Sequence, residues 1–178
     1  FFIIILSIFV ILKNRYFHHI FLLGASYLFF YLSSNYLITL LIFTTIWVFY
    51  FGKIIHHTTD KKTKKIFLGV SLAGNLGLLG FFKYSDFAIS EFNFLGQYLD
   101  LGTEIPLLNI ALPVAISFYT FQSMSYTIDI YRGKLEPSKS LREVAIFVAF
   151  FPQLIAGPIL RAKDFLPQLR EKMDKLKL

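Results

Sequence analysis

The chain has 178 residues, 56% hydrophobic and 19% aromatic, with 22 Phe, 16% charged residues, a net charge of +7 and no cysteine. A mean hydropathy of +0.61 argues against a single water-soluble core, since soluble domains are about 25% charged, and it excludes disorder, which needs low hydrophobicity and high charge. Without cysteine there is no disulfide framework and no thiolate metal site. The basic residues lie in short islands between long uncharged runs, which is how a multi-spanning membrane chain reads; they form no single patch for nucleic acid.

The first apolar run, residues 1–12, reaches roughly 18 Å at 1.5 Å per residue, short of a hydrocarbon core of about 30 Å. It shows neither the basic flank nor the small-residue cleavage site of a signal peptide. With Phe at position 1 and Met only at 124 and 173, the expectation is a fragment that starts inside its first membrane helix. Residues 16–52 contain no Asp, Glu, Lys or Arg, and Ser33-Ser34-Asn35 interrupts them with turn formers. A hairpin of helices at 16–32 and 36–55 fits, with one long tilted helix as the alternative. HHTTDKKTKK at 56–65 is a polar loop, 66–82 the next uncharged run, and 83–104 a mixed, acidic stretch. Residues 105–128 carry no charge, enough to span, and predict a helix at about 107–128. A polar connection at 129–143 leads to an apolar run at 144–160 that contains Pro152 and Gly157-Pro158, and the chain closes on a charged, amphipathic tail at 161–178.

Island charges set an orientation. The segments holding Lys13 and Arg15, and Lys53 to Lys65, carry +2 and +4; that from Lys83 to Glu104 carries −3; those from Asp129 to Glu143 and from Arg161 to Lys177 carry +1 and +3. The positive-inside tendency then puts 13–15 and 56–65 in the cytoplasm and 83–104 outside. Because the tail is basic again, the run at 144–160 is expected not to cross completely. Its proline and Gly-Pro suit a broken or re-entrant helix, tolerated only where it is buried in protein or lines a cavity. The expected fold is all-α: a polytopic helical membrane protein of about five spans plus the re-entrant helix, as one region with a cytoplasmic-side amphipathic tail.

Polar residues on the helix after Pro113 are not scattered. Tyr119, Gln122, Tyr126 and Asp129 are spaced 3, 4 and 3, hence on one face, widened by Thr120, Ser123 and Thr127, with Val114, Phe121, Met124 and Ile128 opposite. That face should meet other helices through hydrogen bonds or line a water-filled cavity. Gly69, Ala73, Gly77 and Gly80 form a small-residue stripe expected to let a neighbouring helix approach closely. The pairs His18-His19 and His56-His57 flank basic residues and read as interfacial or solvated, with no further ligands at metal-site spacing. No nucleophile elbow, phosphate loop or zinc-protease motif is present.

Two long motifs carry more information: LPVAISFYTFQSMSYTIDIYRG from Leu112 and FFPQLIAGPILRAKDFLPQL from Phe150, with FFKYSDF from Phe81 as a third feature. Together they closely resemble the bacterial branch of the membrane-bound O-acyltransferases, the family of the alginate O-acetylation protein. The resemblance implies an enzyme of the bacterial cytoplasmic membrane that moves an acyl group, acetyl as the first expectation, to hydroxyls of an extracytoplasmic polysaccharide such as alginate or peptidoglycan. D-alanyl transfer toward teichoic acid is the alternative within the family, and a transporter or non-catalytic scaffold the alternative outside it. It also implies an acyl donor from an unidentified carrier as co-substrate, no bound cofactor or metal, a separate periplasmic or donor-carrying protein as partner, and no nucleic acid. The family's catalytic histidine lies on a later membrane segment that none of the four histidines here matches, so no catalytic residue is assigned and the fragment alone is expected to be inactive. Passage or substrate-lining candidates are Tyr119, Gln122, Tyr126, Pro152, Gln153, Gly157, Pro158 and Arg161. Arg161 and Asp164, three apart, either pair with each other or leave Arg161 to substrate or donor; Gln153 either bonds the broken backbone or faces the passage.

Overall fold

A computed structural model describes residues 15–99, 102, 104–113, 115–156 and 160–170. The expected helix at 1–12, the motif residues Gly157 and Pro158, and the end of the tail from 171 lie outside the described residues. Those described are helical or irregular, with no strand among them.

Helix α1 (Arg15–Ser34) runs into a 3-10 turn at Asn35–Leu37 and then α2 (Ile38–His57). Asn35 takes a left-handed φ of 52°, a conformation its short polar side chain tolerates better than most. The turn reverses the chain. Leu23 and Tyr27 of α1 line one cavity with Ile42, Thr45 and Ile46 of α2, whereas a straight helix would hold Leu23 and Ile46 about 35 Å apart. The single long helix is thereby excluded. A later helix, α5 (Leu141–Ala149), packs against both arms.

Helix α3 (Lys61–Tyr98) has 38 residues, about 57 Å, and corrects the expected end at 82. The drop in hydropathy after Lys83 marks where apolar surface stops, but the backbone meets no proline there and its hydrogen-bond ladder continues. At the start of α3, Asp60 caps the helix: its Oδ2 accepts from the Thr63 backbone N–H at 2.8 Å and from the Thr63 hydroxyl at 2.6 Å. The Thr63 hydroxyl bond, then the backbone N–H bond, lowers the Asp60 pKa below its ordinary value of 3.8. A depressed carboxylate favours folding above its unfolded pKa and loses that contribution as pH falls through the folded one. Asp60→Ala should therefore speed amide exchange in the first turn of α3 at neutral pH, and the difference from wild type should vanish as the pH is taken below 3.8.

Beyond α3 the chain is irregular from Glu104 to Pro113. Asn93 holds it through both amide atoms, accepting from Ile105 N–H at 2.9 Å and donating to the Ile105 carbonyl at 2.7 Å, and Asp86 accepts from Leu108 N–H at 2.8 Å. The predicted helix at 107–128 is thus corrected: α4 spans Ile116–Tyr131. Pro113 bars Leu112 from helical backbone angles, while Asn109 and Ala115 adopt positive φ of 50° and 60°. The 16 residues of α4 measure about 24 Å.

The apolar run at 144–160 is broken, as its proline requires. Helix α5 ends at Ala149, Phe150 leaves the helical region at ψ 98°, and α6 (Phe151–Ala156) restarts with Pro152 in its first turn. A proline there would clash with the carbonyl four residues back in a continuous helix. Ser26 of α1 receives the Phe151 N–H at 3.4 Å, and the Phe150 carbonyl that of Gln153 at 3.1 Å. Helix α7 (Ala162–Arg170) returns over α4 and α5, burying Ala162 and Leu166.

Candidate functional site

Helix α4 is inside out. Tyr119, Thr120, Gln122, Ser123, Tyr126, Thr127 and Asp129 are all buried, while Phe121 on the opposite face is 44% exposed. Burying so many polar groups is favourable only where protein surrounds them, and α4 is packed by α2, α3 and α7. The outward faces of α1–α3 carry exposed Phe17, Leu28, Ile46, Ile66, Val70 and Phe87, far more apolar surface than water tolerates on a monomer. Two helical runs, Phe17–His57 with its internal turn and Lys61–Tyr98, are long and apolar enough to cross a membrane.

Gln122 is the centre of the buried polar face. Its amide donates to the Phe147 carbonyl, near the end of α5, and to Gln153 Oε1 on α6 at 3.3 Å. It therefore holds both sides of the helix break. The carbonyl of Phe147 needs an outside donor because the turn at Phe150 takes its helical donor, the Phe151 N–H, to Ser26 Oγ instead. Gln153 is itself buried and Pro152 half-buried. The Tyr126 hydroxyl accepts the Ser138 N–H at 3.0 Å, anchoring the loop that leads into α5. Phe30 of α1 meets the Tyr119 ring edge-on, centroids 5.9 Å apart. The Tyr119 hydroxyl, Ser123 Oγ and Asp129 Oδ2 are buried without a hydrogen-bond partner among the described residues.

Of the eight lining candidates, the structure brings Tyr119, Gln122, Tyr126, Pro152 and Gln153 to this one region. Arg161 stands apart, exposed at the start of α7. Its expected pairing with Asp164 is not formed: Asp164 lies 3.7 Å from Lys163, and Arg161 contributes only its backbone carbonyl, which accepts from Asp164 and Phe165 N–H. The histidines divide. His56 and His57 are exposed, but His18 and His19 are 4% exposed, correcting their reading as interfacial. The His19 ring meets the Leu169 carbonyl of α7 at 3.2 Å. No cluster of metal-binding side chains occurs among the described residues.

A second polar node, absent from the sequence reading, ties α5 to α7. Glu143 Oε2 accepts from Arg170 Nε at 2.9 Å and from Ser138 Oγ at 2.6 Å. Desolvation alone would raise the Glu143 pKa, but the bonds from Ser138 and Arg170 outweigh it and hold the carboxyl below its ordinary value of 4.5. Its contribution to folding is present above pH 4.5 and is lost as the pH falls through the depressed value. Glu143→Gln should cost about 1–2 kcal/mol near neutrality and flatten the acid limb of the stability profile, as measured by denaturant unfolding across pH.

The decisive comparison is with curated proteins. The chain is 35% identical over 168 residues to the probable alginate O-acetylase AlgI of Pseudomonas putida, covering 93% of this chain and 34% of that protein. It is 32% identical over 188 residues to the peptidoglycan O-acetyltransferase of Helicobacter pylori, covering 92% and 34%. This chain belongs to the membrane-bound O-acyltransferase family. A shorter match to the AlgI of Pseudomonas aeruginosa is 43% identical over 107 residues, 60% of this chain and 20% of that protein. The chain spans about a third of the length of these two longer-matching relatives. No family model matches it, and no solved structure does.

Proposed function

We propose that the protein of which this chain is part transfers an acyl group, acetyl in the first instance, to hydroxyls of an extracytoplasmic polysaccharide such as alginate or peptidoglycan. The named activities of its O-acetylating relatives support this. One feature of the chain carries it further: the broken helix whose two halves are joined by the buried Gln122 amide. Irregular backbone at membrane depth is stable only against protein or a lined cavity. A transferase whose donor and acceptor lie on opposite sides of a bilayer needs such a lined place. In this reading the chain is embedded in the bacterial cytoplasmic membrane as several crossings, with the basic ends of α2 and α3 inside and the acidic end of α3 outside.

Tyr119, Gln122, Tyr126, Pro152 and Gln153 then form one wall of the passage, with Gly157 and Pro158 continuing the same motif. The buried hydroxyls of Tyr119 and Ser123 and the Asp129 carboxyl supply polar groups along it. Within this chain the chemistry is positional: these residues orient and desolvate, while proton removal from the acceptor hydroxyl falls to a general base elsewhere in the enzyme. The donor comes from an acyl carrier, and a periplasmic protein is the natural receiver at the outer face.

The test is to express the complete gene in a host lacking it and to assay envelope polysaccharide for ester-linked acetate. Acetate that appears with the gene and disappears with Gln122→Leu supports the reading. Ester-linked D-alanine in its place identifies the teichoic-acid branch, and solute flux without any ester identifies a transporter.

A further inference from the structure

Away from the broken helix, a cavity of about 300 Å³ opens where α2 ends, between Lys53, His56 and His57 on one side and the segment Glu136, Pro137, Ser138 and Lys139 on the other. We propose that this cavity is an anion site for a phosphate group, carried by a lipid headgroup or by a soluble phosphate compound.

Three observations carry the proposal. First, the charges converge from separate elements: Lys53 and Lys139 face one cavity with two imidazoles, against one carboxylate, Glu136. Neither lysine forms an ion pair among the described residues; Lys53 Nζ lies 4.1 Å from the Phe49 ring centroid, which steadies it without neutralising it. Second, the far wall is preorganised. Ser138 is buried, its N–H bound to the Tyr126 hydroxyl and its Oγ donating to Glu143, so Pro137 and Lys139 are held in place before any ligand arrives. Preorganisation lowers the ordering cost of binding. Third, the position suits a phosphate. The cavity sits at the end of an apolar helix, beside the lysine-rich start of α3 at Lys61–Lys65, where lipid phosphates collect and basic segments attract anions.

Lysine ammonium groups are point donors suited to phosphate, and a tetrahedral phosphate offers oxygens to donors on both walls at once. No residue lining the cavity belongs to the Gln122 cluster, although Tyr126 of that cluster holds Ser138 behind its wall, and the site implies no chemistry.

Reconstitution of the complete protein into phosphatidylcholine nanodiscs provides the test, with two ligand arms. One adds phosphatidylglycerol to the disc; the other adds inorganic pyrophosphate to the buffer. Lys53→Gln combined with Lys139→Gln should weaken binding about tenfold, and Glu136→Gln, which removes the opposing charge, should tighten it several-fold. Lys83→Gln, on the outer part of α3, should change it less than about twofold. Because misfolding does not tighten binding, the Glu136→Gln gain keeps the result interpretable if the double variant folds poorly. The pattern in the lipid arm alone assigns a headgroup; in the pyrophosphate arm, a soluble phosphate compound. No binding in either arm, equal loss in Lys83→Gln and the double variant, or no gain from Glu136→Gln would overturn the proposal.

Discussion

Gln122→Leu should lower acetyl transfer by the complete enzyme by about tenfold or more, and should cost more than any other single change on α4. Leucine matches glutamine closely in size, so packing is largely kept and the polar contacts alone are removed. Those contacts are the Phe147 carbonyl and Gln153 Oε1. The Phe147 carbonyl is then buried without its donor, since the helix break denies it a backbone partner; each such group costs about 1–3 kcal/mol. With that bond gone, α5 and α6 are free to shift relative to α4, and a misplacement of about 1 Å can cost a hundredfold in an oriented reaction. Gln153→Ala should have a smaller effect, because Gln122 retains the Phe147 carbonyl. The ordering is measured as ester-linked acetate per unit of correctly inserted protein. Equal activity of Gln122→Leu and wild type would remove the break from any functional role.

How far the chain could be read without coordinates varies by element, and the reason is range. The buried face of α4 follows from spacing alone: Tyr119, Gln122, Tyr126 and Asp129 share a side because a helix turns every 3.6 residues, and a polar face in an apolar chain must turn inward. The break at Phe150 was equally local, because Pro152 forbids one particular carbonyl. The length of α3 was not readable from hydropathy, which reports where apolar surface ends and is silent on hydrogen bonding; Asp86 and Asn93 are polar because they hold residues 105–108, not because the helix has stopped. His19 is buried with a contact to α7, whose Leu169 carbonyl lies 150 positions from it. Glu143 and Arg170, 27 apart, follow no helical or strand period.

The glycines show the same limit and yield the second large effect. The stripe Gly69, Ala73, Gly77 and Gly80 reads as a packing seam, yet a Cβ at Gly69, Gly77 or Gly80 would meet nothing within 4 Å. The close approaches fall elsewhere. At Gly52 a Cβ would lie 2.8 Å from Tyr126 Cε1 and 2.9 Å from Ile130 Cδ1, and at Gly74 2.7 Å from Trp47 Cζ2. The two sites differ in what must yield. Trp47 is partly exposed, beside the Phe43 and Phe51 rings and bonded through its indole to the Ser71 carbonyl at 3.2 Å, so it yields more readily than a fully buried ring. Tyr126 is fully buried, and its hydroxyl holds the Ser138 N–H; moving its ring strains the loop into α5. Gly52→Ala should therefore destabilise the protein by about 1–3 kcal/mol, the usual cost of overpacking, and Gly74→Ala by less. Gly77→Ala should be neutral or stabilising by up to about 1 kcal/mol, since it relieves the helix cost of glycine at an open position. Thermal unfolding in a single detergent would rank the three. If Gly77→Ala proves as damaging as Gly52→Ala, the stripe is a packed seam after all.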